Sequence, residues 1–174
     1  GIVNGIDYEM WDPSSDPAVK FHYDSSDVIE KKQANKTALQ EELALEVDSS
    51  KYVIGLISRL TDQKGLDLVN TVVSDIMDGN TQIFVLGTGD SFYEYSFCYY
   101  QEQYTGSFAA CIMYDEALAH RIYAGADALL VPSQFEPCGL TQLNAMHYGT
   151  IPSVRETGGL KDTVEPYNIN TNTG

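Results

Sequence analysis

The stretch Ala128–Gly149 (ALLVPSQFEPCGLTQLNAMHYG) limits the possible folds most, because its side-chain period changes within a short span. It opens on the apolar run Ala128-Leu129-Leu130-Val131, which reads as a strand buried on both faces. The segment Pro132–Gly139 then reads as a loop, and Leu140, Leu143, Met146 and His147 recur at helical spacing. Gly149 stands where a helix would end on a left-handed residue. Such a strand–loop–helix unit leaves the N–H groups around the helix start without partners. Cys138, Gly139, Leu140 and Thr141 therefore form a candidate phosphate site. Glu136 lies beside that site, between Phe135 and Pro137, and these neighbours are expected to hold it stiffly.

The same alternation runs through most of the chain. Strand-like runs fall at Tyr52–Ser58, Gln82–Leu86, Ser107–Met113, Asp127–Val131 and Thr150–Val154. Helical patterns lie between them. One is marked by Leu66, Val69, Val73 and Ile76 and closed by Gly79; another spans 91–103; a third is capped by Asp115, with Leu118 and Ile122 on its inner face. Strand then helix, repeated, predicts an α/β fold with a Rossmann-like, doubly wound parallel sheet. Upstream, residues 30–47 read as a charged helix with Leu39, Leu43 and Val47 on one face. Residues 1–23 show no sustained period; Asn4-Gly5-Ile6-Asp7 is a turn signal and Trp11-Asp12-Pro13 a packing anchor. At this length the chain is expected to be a single domain, 1–174.

In a doubly wound sheet the first and fourth strands are neighbours, and ligands bind outside the carboxyl ends of the strands where the order reverses. That topology brings the loop Ser58–Gly65 to the loop Pro132–Gly139, and so gathers Arg59, Lys64 and Glu136 around one crevice. Arg59 offers a planar fork of donors for phosphate oxygens and Lys64 a compact point charge. Gly87-Thr88-Gly89 and Tyr114 should line the other side, the glycines serving either close approach to a nucleoside or a plain tight turn. Thr157-Gly158-Gly159-Leu160 reads equally as a backbone anion site or a strand-to-helix turn. His22, His120 and His147 have no metal-ligand spacing and are read as structural, His147 packing beneath the loop.

The motifs EPCGLTQ (136–142), ISRLTDQKGLD (57–67) and TGGLKDTV (157–164) occur in an order that resembles the bacterial glycogen synthases and plant starch synthases. The resemblance runs from Asn4 to about Val164. It implies one lobe, the C-terminal nucleotide-sugar-binding lobe, of a two-lobed GT-B glucosyltransferase. Such an enzyme moves glucose from ADP-glucose to an α-1,4-glucan with retention and needs no metal or other cofactor. On this reading Arg59 and Lys64 grip the donor's diphosphate, Glu136 contacts the glucosyl unit, and Tyr114 lies near the base. Many GT-B transferases carry a second Glu eight residues after the first, for the ribose hydroxyls; here that position is Asn144. The implied partners are the donor, the glucan acceptor and the protein's own N-terminal lobe, without which the chain is expected to be inactive. A glucan phosphorylase with pyridoxal phosphate on a lysine, or a non-catalytic nucleotide-sugar-binding module, would share much of this pattern.

Composition narrows the alternatives. A formal net charge of −15 argues against nucleic acid, which is bound by neutralising phosphates with Lys and Arg. Any cations that hold an anionic donor must then act locally, within a Debye length of roughly 8–10 Å. Cys98, Cys111 and Cys138 form no Cys-x-x-Cys or Cys/His pattern, which suits a reducing compartment. No apolar run approaches the roughly 18 residues of a membrane span, and no signal peptide is visible. The location implied is the bacterial cytoplasm, or a plastid for a plant starch synthase. The start at Gly1 and the polar run Asn168–Gly174 suggest a fragment lacking its first lobe and trimmed at its C-terminal end.

Overall fold

The computed structural model describes residue 2 and residues 4–174. Five strands form one sheet: β1 (Tyr52–Ile57), β2 (Thr81–Leu86), β3 (Phe108–Cys111), β4 (Ala128–Val131) and β5 (Ile151–Val154). All pairings are parallel and the order is β3-β2-β1-β4-β5, so the order reverses between β1 and β4 as the doubly wound reading requires. The helices are α1 (Val28–Glu42), α2 (Leu66–Ile76), α3 (Ser91–Gln103), α4 (Glu116–Gly125), α5 (Thr141–His147) and α6 (Gly158–Thr163). No helix among the described residues is long and apolar enough to cross a membrane.

The two-residue period of the strands divides the core in two. Val53, Phe84, Leu86, Leu129 and Val131 point to one face, where they meet Leu39 of α1, Leu118 and Ile122 of α4, Ala145 of α5 and Leu160 of α6. Leu56, Ile83, Val85 and Phe108 point the other way, onto Leu66, Val69 and Val73 of α2 and Tyr93 and Phe97 of α3. Both faces are covered over the inner strands, and this is why β1, β2 and β4 read as near-continuous apolar runs; at the edge, Ile151 of β5 is exposed.

Two helices depart from the apolar faces expected of them. The charged helix spans Val28–Glu42, not 30–47; Ala44 takes a left-handed φ of 54° just beyond it, and Val47 is exposed. Its buried side chains are Asn35, Lys36, Leu39 and Gln40. Polar residues can lie there because the side-chain nitrogen of each finds an acceptor. Lys36 Nζ is 2.7 Å from Asp127 Oδ2, which also accepts the Val53 N–H, and Gln40 Nε2 donates to Gln82 Oε1 at 2.8 Å. In α5 the expected inner residues Leu140 and Met146 are 46% and 39% exposed; Gln142, Asn144 and Ala145 are buried instead, as is Tyr148 just after it. Gly149, with φ 69°, ends this helix as read from the sequence.

Candidate active site

Parallel neighbours send their outgoing loops to the same edge of the sheet, and here the loops after β1 and β4 are laced together. The Gln134 N–H donates to Gln63 O at 2.9 Å, and Gln63 Nε2 donates to Phe135 O at 3.2 Å. A single 3-10 turn, Asp62–Lys64, then directs Lys64 at Glu136, and Nζ lies 2.6 Å from Oε2. Both side chains are 17% exposed, and Ser133 Oγ adds a longer contact to the same carboxylate oxygen at 3.3 Å.

The backbone of Glu136 is held from behind. Gly159 N–H donates to Glu136 O at 2.8 Å. A Cβ on Gly158, whose φ is 45°, would sit 2.3 Å from Glu136 O, and one on Gly159 would sit 2.1 Å from Cys138 O. The Thr157–Leu160 segment is therefore a turn on which the Glu136 loop rests, and the Gly159 N–H is already used. Stiffness does not come from the neighbouring ring as expected, since Phe135 is 58% exposed. Lys64, Ser133 and this glycine seat hold Glu136 instead, beside Pro137.

Beside the pair lies a cleft of about 520 Å³. Ser58, Arg59 and Lys64 form one wall; Gly87, Thr88, Met113, Tyr114 and Asp115 form the next; Leu140, Thr141 and Asn144 close the far side with Tyr123 and Trp11. Arg59 is exposed and forms no ion pair among the described residues, so its charge faces solvent at the rim. The N–H groups of Gly139, Leu140 and Thr141 donate to no acceptor among the described residues. Gly139 itself has φ 72°. Glu136, Cys138 and Gly139 border the cleft without lining it, Glu136 being joined to it through Lys64. Gly89 lies outside as well: its N–H bonds Glu94 Oε1, and a Cβ there would meet Leu60 O at 2.2 Å, a close approach of two loops.

The cleft lining also carries the carboxylates of Asp115 and Glu116, beside neutral groups that are partly unsatisfied. Burial raises the Tyr123 phenol to about 12, so it stays protonated. Asn144 is 5% exposed and its Oδ1 has no hydrogen-bond partner, an acceptor that calls for a hydroxyl or amine donor. Asp115 is already engaged, accepting Leu118 N–H as the cap of α4. Arg59, Lys64 and the free N–H groups suit a di-anionic group, and the unpaired Asn144 acceptor suits hydroxyls attached to it.

Trp11, Met113, Asp115 and Tyr123 were not singled out as cleft residues from sequence; an aromatic or Met among core spacings carries no signal of its own. The histidines have structural partners: exposed His22 has Nε2 2.8 Å from Asp16 O, buried His120 has Nδ1 2.6 Å from Asp16 Oδ2, and His147 meets the Tyr8 ring at 5.0 Å rather than lying under the loop. Among the described residues no three His, Cys, Asp or Glu side chains converge as a metal site.

Residues 39–174 match the family described as glycosyl transferases group 1. The chain is 51% identical over its whole length to a glycogen synthase of Lachnoclostridium phytofermentans, covering 36% of that protein. It is 53% identical over 97% of its length to a glycogen synthase of Lachnospira eligens, covering 35% of it. The catalytic domain of starch synthase IV from Arabidopsis thaliana, solved with ADP and acarbose, superposes with a TM-score of 0.90 at 38% identity, over 98% of this chain and 35% of that one. The chain thus spans about a third of the length of the relatives it matches.

Proposed function

From the premise that this chain belongs to the glycosyl transferases group 1 family, we propose that it is the donor-binding lobe of a glycogen synthase. The reaction is transfer of glucose from ADP-glucose to the non-reducing end of an α-1,4-glucan, with retention. The observation that carries this reading is the Lys64–Glu136 contact of 2.6 Å at the cleft mouth, a cation and a carboxylate fixed side by side. The nucleotide and the acarbose held by the starch synthase relative suit the same assignment.

As the glycosidic bond breaks, negative charge grows on the departing diphosphate. Arg59, Lys64 and the N–H groups of Gly139, Leu140 and Thr141 receive it; the backbone N–H groups are already fixed in place, and donors that need not reorganise lower a barrier most. Lys64 turns from Glu136 toward phosphate when the donor enters. Glu136 then orients the glucosyl unit and stabilises positive charge at the anomeric carbon without forming a covalent intermediate. Gly87, Thr88 and Tyr114 flank the nucleoside, and Asn144 accepts from a ribose hydroxyl. No step needs a metal. The acceptor and the rest of the sugar pocket belong to a second lobe, so this chain alone transfers no glucose, lacking a positioning effect worth up to roughly 7–11 kcal/mol.

The test is calorimetric titration of the chain with ADP and with adenosine. Arg59→Ala and Lys64→Ala should each weaken ADP about 10- to 150-fold, the value of a charged hydrogen bond, and leave adenosine unchanged. Equal losses for both ligands would mean that these residues support the fold and do not grip phosphate.

A further inference from the structure

Trp11 belongs to the segment ahead of β1, outside the sheet, where the sequence suggests only a packing anchor. It does pack: the indole stacks on His120 with centroids 3.9 Å apart and planes 15° from parallel, and meets the Tyr123 and Tyr148 rings edge-on at 5.7 and 6.5 Å. It is also only half-buried, and what remains open borders the cleft beside Ala119, Tyr123 and Asn144. Its indole N–H donates to no acceptor among the described residues.

What lies behind the ring explains why it stands there. His120 Nδ1 is 2.6 Å from Asp16 Oδ2, which also accepts the Tyr148 hydroxyl at 2.5 Å, while Asp16 Oδ1 accepts the Ala18 N–H at 2.8 Å. Asp16, His120 and Tyr148 are 2%, 5% and 0% exposed. One buried carboxylate therefore ties together the leading segment, α4 and the residue after α5, and α4 and α5 carry the far walls of the cleft. Hydrogen bonds to a carboxylate away from water are strong and directional, so this junction fixes the plane of His120 and with it the plane of Trp11.

We propose that Trp11 contacts the nucleoside of the bound donor, with Asp16 and His120 as positioning residues that hold the indole in the cleft wall. The proposal rests on reading the cleft as a nucleotide-sugar site. Trp11 shares the cleft lining with Tyr123 and Asn144, and none of its stacking partners touches the Glu136 carboxylate. A rigid aromatic wall beside an unpaired acceptor suits a heteroaromatic base and its ribose, and an already ordered ring loses little freedom on binding.

Trp11 is the sole tryptophan of the chain, so its emission can be followed directly. The chain is titrated with ADP by tryptophan fluorescence and, in parallel, by calorimetry. The expected result is an emission change that saturates with the calorimetric Kd. Trp11→Leu should raise that Kd about 2- to 13-fold, the weight of one aromatic contact, and Trp11→Phe less. His120→Gln, which keeps a donor for Asp16 but loses the stack, should shift the emission of the ligand-free chain and raise the Kd by a smaller factor than Trp11→Leu. Heat of ADP binding with flat tryptophan emission, or an unchanged Kd in Trp11→Leu, would overturn the proposal and leave the donor site standing. Absence of any ADP heat in the unmutated chain would remove the donor site and the role of Trp11 together. Should Trp11→Leu fail to fold by circular dichroism, the paired titrations of the unmutated chain decide.

Discussion

Against α2 and α3 the sheet buries Leu56, Ile83, Val85 and Phe108, and the residues they meet are Leu66, Val69, Val73, Tyr93 and Phe97. Against α1, α4 and α5 it has an equally apolar lining, but Asp16, Lys36, Gln40, Gln82, His120, Gln142 and Asn144 are buried there as well. The first face is held by contact area, which tolerates small slides and repacking. The second is held by directed bonds, and a buried polar group that loses its partner costs more than a contact that shifts. The cleft opens on the second face. Cohesion and registration are thus divided between the two sides of one sheet.

That division can be broken by experiment. The largest effect should come from Glu136→Gln in the two-lobed protein: turnover is expected to fall roughly 10²- to 10³-fold, the range for removing one group that stabilises transition-state charge, while ADP affinity stays nearly unchanged. A proportional loss of both would make Glu136 a ground-state ligand. On the apolar face, Phe97→Ala should cost about 3–5 kcal/mol in denaturant unfolding, because a fully buried ring leaves a cavity, yet ADP should bind the folded fraction as before. A weakened Kd there would show that the apolar face also sets the cleft.

The smallest effects sharpen the contrast within α5 itself. Gln142 Nε2 donates to Cys138 O, Gly139 O and Thr163 Oγ1, so Gln142→Ala should cost about 1–3 kcal/mol. The side-chain oxygens of both residues are buried without a partner, but Asn144 lacks the three bonds that Gln142 donates, so Asn144→Ala should change stability by less than about 1 kcal/mol while weakening nucleotide. Equal unfolding midpoints for the two variants would contradict the assignment of Gln142 to scaffold and Asn144 to ligand.

The same division marks what could be read from residues alone. All five strands, their parallel pairing and helix α2 follow from apolar period, since Leu66, Val69 and Val73 do nothing but pack. Helices α1 and α5 misled for the converse reason: their inner faces carry Lys36, Gln40 and Gln142, whose partners Asp127, Gln82 and Thr163 lie far off in sequence, and Asn144, whose Oδ1 has none. No local pattern encodes such a partner. Arg59, Lys64 and Glu136 could be brought to one crevice by topology, but the direct Lys64–Glu136 contact needed the lacing of Gln63 to Gln134 and Phe135. Trp11 was legible as an anchor and illegible as a wall, because burial on one side and exposure on the other leave the same letter.

The seat beneath Glu136 has a consequence for inheritance. Gly158 and Gly159 are required because any Cβ would run into the carbonyl oxygens of Glu136 and Cys138. Every single-base change in a glycine codon is either silent, a stop, or installs a residue with a Cβ. These two positions therefore have no near-neutral neighbours in mutational space, unlike Lys64, which a single base can turn into another cation. Drift at the seat is possible only after the Glu136 loop has itself moved, so the two segments can change together or not at all.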